Sequence, residues 1–182
     1  PAKPPPSTST RRTMEAARRR ERVLDRLSAA TTPVPAATLG SELGVSRQIV
    51  VGDVALLRAA GQAIRATNRG YVLARPTTRA RRSFHVQHGP ELVEAELDAV
   101  IDAGGTLLDL SIPHAAYGQV TVDLLIRNHE DIAQLLEQLR TSPPLSQLTN
   151  GDHFHTVEAD DEATLDAVRE ALDALGVLVH ED

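Results

Sequence analysis

Residues 39–61 read LGSELGVSRQIVVGDVALLRAAG, and their punctuation decides the fold of the first half of the chain. Gly44 ends a short helix that fits residues 35–44, with Pro35 near its first turn and Leu39 and Leu43 facing inward. Ser46 is a good N-cap for the next helix, because its hydroxyl can accept an orphan backbone N–H. That helix offers Ile49, Val50, Val54, Leu56, Leu57 and Ala60 as a buried face and stops at Gly61. Gly52 lies inside it, costs about 1 kcal/mol relative to Ala, and has no explanation in the sequence. Upstream, MEAARRRERVLDRLSAA (14–30) is rich in helix formers, with Ala17, Val23, Leu24 and Leu27 as a partial stripe. Downstream, AIRATNRGYVLA (63–74) reads as two short strands around Asn68-Arg69-Gly70. Three helices and a β-hairpin make a winged helix-turn-helix over residues 14–75.

Charge supports a polyanion as its partner. The chain of 182 residues has a net charge of −6, but residues 1–82 hold 16 of the 19 Lys and Arg against five acids, a balance of +11. The remaining 100 residues balance at −17. A helix fits the DNA major groove, where its N-terminal side chains reach base edges, and here those are Ser46, Arg47 and Gln48. Arg47 can fork onto guanine and Gln48 can pair with adenine. Arg65, Asn68 and Arg69 on the wing suit phosphates or a minor groove, and Arg18, Arg19, Arg20 and Arg22 suit sequence-neutral backbone contacts. A winged helix used for protein contact, with Arg47 merely solvated, is the bland alternative. Residues 1–13, poor in apolar side chains, read as a flexible tail, and residues 76–82 as a linker. ELGVSRQIVVGDVALLRAAG and NRGYVL also resemble the helix-turn-helix module of bacterial ligand-responsive repressors, which implies a dimer on a two-fold operator of double-stranded DNA.

Composition narrows the other classes. Cys is absent, so disulfides, thiolate zinc sites and cysteine nucleophiles are excluded. Two Tyr, two Phe and no Trp argue against a base-stacking surface for single strands. No apolar run approaches the ~18 residues of a membrane span and no signal-peptide core is evident, so a cytoplasmic location is expected.

Residues 83–182 read as strand–helix–strand–strand–helix–strand–helix–strand. The expected elements are FHVQH, a helix opened by Pro90, TLLDLSI, QVTVDLLI, a helix over 130–139, DHFHTVEA, a helix from Asp161 and a final VLVH, with PHAAYG as a loop. That order predicts an α+β two-layer sandwich with a mainly antiparallel sheet. Among the seven His, His129 and His180 read as ordinary surface residues, and His85 lies on the strand face opposite Phe84. His153 and His155 differ, because residues i and i+2 of a strand share a face and offer two imidazoles side by side. His88 stands just before Pro90 at a helix entrance. Glu96 lies two turns later on a related face, while Glu91 and Glu94 point elsewhere. Spacing alone does not bring these four together, and an exposed carboxylate is the plain reading of Glu96.

VQHGPELVEAELDAVIDAGGTLLDLSIPHAAYGQVTVDLLI and LSQLTNGDHFHTVEA closely resemble the three-histidine (3H) regulatory domain of bacterial nicotinate-responsive repressors, over essentially all of residues 83–182. The resemblance implies a repressor of NAD-biosynthesis or niacin-uptake genes that binds nicotinic acid. It also implies a divalent transition metal (zinc, nickel or iron) held by three His and one Glu, which falls on His88, Glu96, His153 and His155. His114 and Tyr117 fall in the family's His-Pro-x-Tyr-Gly loop as candidate ligand-pocket residues, with Ala115 standing where the family has Pro. Two other readings compete: a metal-dependent enzyme tethered to DNA, and a repressor whose metal is purely structural. No G-x-G-x-x-G, P-loop or evident extra acid–base group supports the enzyme.

Overall fold

The computed structural model describes residues 8–180, and the chain divides into two compact units between Pro76 and Thr77. The first contains α1 (Thr8–Ala29), α2 (Ala36–Leu43), α3 (Arg47–Ala59), β1 (Ile64–Thr67) and β2 (Gly70–Leu73). Gly44 adopts the left-handed conformation (φ 69°) that lets the chain reverse after α2, and Val45 N–H donates to Gly40 O at 2.9 Å. Ser46 then caps α3, its hydroxyl accepting from Ile49 N–H at 3.3 Å. The strands pair antiparallel from Ile64↔Leu73 to Thr67↔Gly70. Val34 exchanges backbone bonds with Tyr71, tying the hairpin to the α1–α2 connection. Val23, Leu27, Val34, Leu39, Val50, Val54, Leu57 and Ile64 form one core.

Two expectations for this unit need correction. Residues 8–13 of the expected tail belong to α1, since adding turns to an existing helix costs little even without apolar side chains; residues 1–7 lie outside the described residues. In α3, Val50, Val54 and Leu57 are buried, but Ala60 is exposed, as are Ile49 (43 %) and Leu56 (57 %). The place in the buried arc goes to Asp53, which is 3 % exposed. Arg19 of α1 grips it with Nε–Oδ2 at 2.5 Å and Nη2–Oδ1 at 3.1 Å. A hydrophobic pattern cannot foresee a carboxylate at the centre of a buried face.

The second unit runs β3 (Ala80–Gln87), a 3-10 turn (Pro90–Leu92), α4 (Val93–Asp102), β4 (Thr106–His114), β5 (Gly118–Ile126) and α5 (His129–Leu139). A second 3-10 turn (Leu145–Thr149), β6 (Asp152–Ala159) and α6 (Glu162–Ala174) complete it. Its strands lie in the order β5-β4-β6-β3, every neighbouring pair antiparallel. Strands β3 and β4 therefore run the same way with β6 inserted between them, a split β-α-β unit whose crossover is α4. Leu97 and Val100 of α4, Ile132 of α5 and Leu165, Val168 and Leu172 of α6 share one core with Phe84, Val86, Leu107, Ile126 and Val157 of the sheet. The α+β class and the antiparallel sheet are as expected.

Three details differ. β3 begins at Ala80, inside the expected linker, because Arg81 and Arg82 are anchored strand residues. Arg81 Nε donates to Glu158 Oε2 at 2.8 Å, and Arg82 bonds Glu162 and Asp166 at 2.7 and 2.8 Å. Pro113 and His114 complete β4, which shortens the expected loop to a turn. VLVH makes only an isolated bridge, Val86↔Leu178, at the β3 edge.

Removing Arg19 would leave Asp53 with Arg20 alone, at 3.7 Å. Arg19→Ala is expected to cost about 2–3 kcal/mol, somewhat under the ~3–5 for breaking a fully buried pair, whereas Arg18→Ala at an exposed position should stay within ~0.5. Urea unfolding of the full chain monitored on both variants checks this.

Candidate functional site

The second unit brings His88, Glu96, His153 and His155 together, all buried. His88 lies one residue past the end of β3, at the entrance of the first 3-10 turn, and Glu96 lies in the first turn of α4. His153 and His155 point to the helix-covered face of β6 along with Val157, as a two-residue strand period requires. On the other face, Phe154 stacks with His85 at a centroid distance of 4.2 Å, and His85 Nε2 lies 2.5 Å from Asp152 Oδ1.

Each of the three buried imidazoles is held from behind by a main-chain oxygen at 2.8 Å from its Nδ1: His88 by Gly89, His153 by Gly151 and His155 by Asp109. A carbonyl only accepts, so Nδ1 carries the proton in all three and Nε2 is left as the donor atom for a metal. The three Nε2 atoms converge on one carboxylate. His88 Nε2 is 2.8 Å from Glu96 Oε2, while His153 and His155 Nε2 are 3.4 and 3.3 Å from Oε1. The latter two nitrogens are 3.1 Å apart, so as neutral rings they would turn lone pairs toward one another. Glu96 Oε1 is buried without a hydrogen-bond partner.

Burial opposes charge here, but the cluster overrides it. Desolvation pushes the Glu96 carboxyl up, yet the His155 charge and the close approach of all three imidazoles hold it well below the ordinary carboxylate range. Burial likewise lowers His88 and His155, and Glu96 more than offsets this, raising both. An ionised carboxylate, an orphaned buried oxygen and convergent imidazole nitrogens form the donor set of a divalent metal. The ligand atoms of His88, Glu96 and His153 lie within 4.8 Å of one another. The residues therefore fit a metal ion.

One part of the site was missed in the sequence. Gly151 O accepts both His153 Nδ1 and His88 N–H (3.3 Å), pinning two donors to one peptide. Gly151 sits at φ 86°, and a Cβ there would fall 1.9 Å from His88 O. The Asn150-Gly151 dipeptide is the signal that could have found it, as a turn aimed at the first His of the pair. His129 pairs with Asp98 and Asp102 at 3.0 and 2.8 Å and His180 with Asp173 at 2.8 Å, the surface roles expected of them.

His114 and Tyr117 lie elsewhere. Leu110 pairs with His155, and His114 is four residues further along β4, about 13 Å at ~3.3 Å per residue. Its ring stacks with that of Tyr117, which is 78 % exposed at the hairpin tip. His114 Nδ1 accepts Ala116 and Tyr117 N–H at 3.2 and 3.3 Å, bracing the turn in which Ala115 replaces proline.

In the first unit, Ser46, Arg47 and Gln48 stand exposed at the N-terminus of α3, where orphan N–H groups add a local positive field. Arg65 is exposed on β1, and Asn68 and Arg69 are half-buried at a tip braced by Thr67, whose Oγ1 donates to Gly70 O at 2.9 Å. Arg19, offered above for phosphate contact, is committed to Asp53 instead.

Residues 19–72 match an HTH domain and residues 81–181 match a 3H domain. The chain is 38 % identical over 163 residues to the "Probable transcription repressor NiaR" of Thermotoga maritima, spanning 88 % of this chain and 91 % of that one. It is 34 % identical over 169 residues to the "Transcription repressor NadR" of Bacillus subtilis, spanning 90 % and 94 %. The HTH match together with two relatives named as transcription repressors makes this chain a DNA-binding regulator. The chain belongs to the family of transcription repressors that carry a 3H domain. No described helix is long and apolar enough to cross a membrane.

Gly151→Ala is expected to weaken metal uptake at least tenfold, because His88 or His153 must move, and a Co2+ titration of the full chain reads this directly. In chelated protein, His88 and His155 keep their protons to higher pH when folded. Their stabilisation is full below about pH 6.5 and is lost as pH rises through their folded values. Glu96 supplies the acid limb, present above about pH 4.3 and lost as pH falls through its lowered value. Melting temperatures of the chelated chain should therefore decline from pH 6 to 9, and Glu96→Gln should flatten that decline.

Proposed function

We propose that this chain is a cytoplasmic repressor of NAD-biosynthesis or niacin-uptake genes that responds to nicotinic acid and binds a palindromic double-stranded operator as a homodimer. The metal is a divalent transition ion, zinc, nickel or iron, held by His88, Glu96, His153 and His155. The observation that carries this reading is the convergence of three oriented imidazoles on the buried Glu96 carboxylate, whose Oε1 has no hydrogen-bond partner. A bound ion of higher coordination number than four would supply a Lewis-acid point for a pyridine carboxylate. The names of the two relatives and the domain order support the repressor role.

Ser46, Arg47 and Gln48 meet base edges in this reading, and Arg65, Asn68 and Arg69 meet the backbone or minor groove. Nicotinic acid shifts operator affinity only through differential binding to the dimer geometry that matches the half-site spacing. Palindromy follows from the two-fold symmetry of such a dimer.

Thermal melting of metal-loaded full chain with nicotinic acid, nicotinamide and benzoate, repeated after chelation, tests the sensor. Ligand at about 100 times its dissociation constant should stabilise by roughly 2.7 kcal/mol, with nicotinic acid alone and only with metal present. His153→Ala and His155→Ala should abolish both metal content and response, and an unchanged response in either overturns the assignment. His114→Ala and Tyr117→Ala should leave metal content unchanged, and a weaker response in them would place these residues on the ligand. Arg47→Ala and Gln48→Ala should each weaken binding to a duplex selected by the full chain from random DNA by about 5- to 100-fold, as expected for one lost bidentate base contact.

A further inference from the structure

The sheet is irregular beside the site. Between Leu107 and Asp109 the register shifts: two steps on β4 oppose one step on β6, from Val157 to Thr156. The same two steps oppose three on β5, from Ile126 to Asp123. Leu125, inside that β5 segment, has φ 54°, a left-handed conformation that a branched apolar side chain in a strand disfavours. A bulge on β4 and a left-handed leucine beside it are local costs kept by the surrounding structure, and such irregularities re-aim groups at functional sites.

The group re-aimed here is Asp109. Its main-chain oxygen accepts His155 Nδ1 at 2.8 Å, and its side-chain Oδ1 accepts Thr156 N–H at 3.1 Å. The carboxylate thus serves a strand amide while the carbonyl of the same residue serves the imidazole. His155 and Thr156 are consecutive on β6, so this double grip fixes the ring relative to its own backbone.

We propose that Asp109 is a positioning residue of the metal site, setting the tautomer and aim of His155 through the β4 bulge. The inference rests on reading the His/Glu cluster as a metal site. His88 and His153 are held by glycine carbonyls, of Gly89 and Gly151, so His155 alone depends on a residue whose side chain a substitution can remove. Outer partners of ligating His typically change metal affinity 10- to 100-fold when lost.

The test is Co2+ titration of the full chain, read by the visible absorption of the bound ion, for the unaltered protein, Asp109→Ala and Asp109→Asn. Asp109→Ala should weaken Co2+ at least tenfold and alter the absorption bands, while Asp109→Asn, which retains the Oδ1 acceptor, should stay within about threefold. Melting in chelator, compared across the three, separates misfolding from lost aim, and Asp109→Asn carries the test if Asp109→Ala fails to fold. Equal Co2+ affinity and spectra in all folded variants overturn the role of Asp109 alone. Equal loss in Asp109→Asn and Asp109→Ala also overturns it, since the acceptor would then not be what matters. Absence of Co2+ uptake by the unaltered chain overturns the metal reading itself, and this inference with it.

Discussion

A carboxylate buried to 2 % exposure among three imidazoles is the constraint around which the second unit is organised. Left alone, an ionised Glu96 would be intolerable inside the protein, and neutral His153 and His155 would turn lone pairs toward one another at 3.1 Å. Together they tolerate burial only if protons or a cation fill the space between them. The surroundings prepare for one outcome more than the other: each Nδ1 is already committed to a carbonyl, so the free valences all point inward. That arrangement leaves a buried negative charge that either protons on the imidazoles or a cation would balance.

The first unit shows a related economy. A buried ion pair between Arg19 and Asp53 joins α1 to α3, the helix whose N-terminus carries Ser46, Arg47 and Gln48. Apolar packing from Val50, Val54 and Leu57 would let α3 rotate by small amounts about its axis. A bidentate guanidinium–carboxylate contact is directional and resists that rotation. Arg19, a cation in the basic half of the chain, therefore serves the orientation of α3.

Much of this was legible in the sequence, for reasons that are local. Gly44, Ser46 and the Asn68-Arg69-Gly70 turn act within a few residues, so the helix-turn-helix and its hairpin could be placed nearly to their ends. The two-residue period put His153 and His155 on one face without any knowledge of the partner strands. What could not be read were effects that depend on tertiary neighbours. Nothing near Asp53 shows that Arg19, 34 residues away, would permit its burial. Glu96 looked like one more exposed helix acid, and only the packing of α4 over β6 turned it inward. Arg79, Arg81 and Arg82 looked like linker because their acidic partners, Glu158, Glu162 and Asp166, lie far along the chain.

The strand order also has a temporal meaning. β6 lies between β3 and β4 and bears His153 and His155, two of the four clustered side chains, yet it is the last of these strands to be made. A nascent chain that has emerged only through residue 151 holds His88 and Glu96 but has a gap in its sheet where β6 belongs. Long-range strand insertion is slow compared with helix and hairpin formation. The helix-turn-helix unit, by contrast, has all its elements within the first 76 residues and can close while the remainder is still being synthesised. The helix-turn-helix unit can therefore be complete before His153 and His155 have been made, and α6 must still pack onto the sheet after the His/Glu centre has its last member.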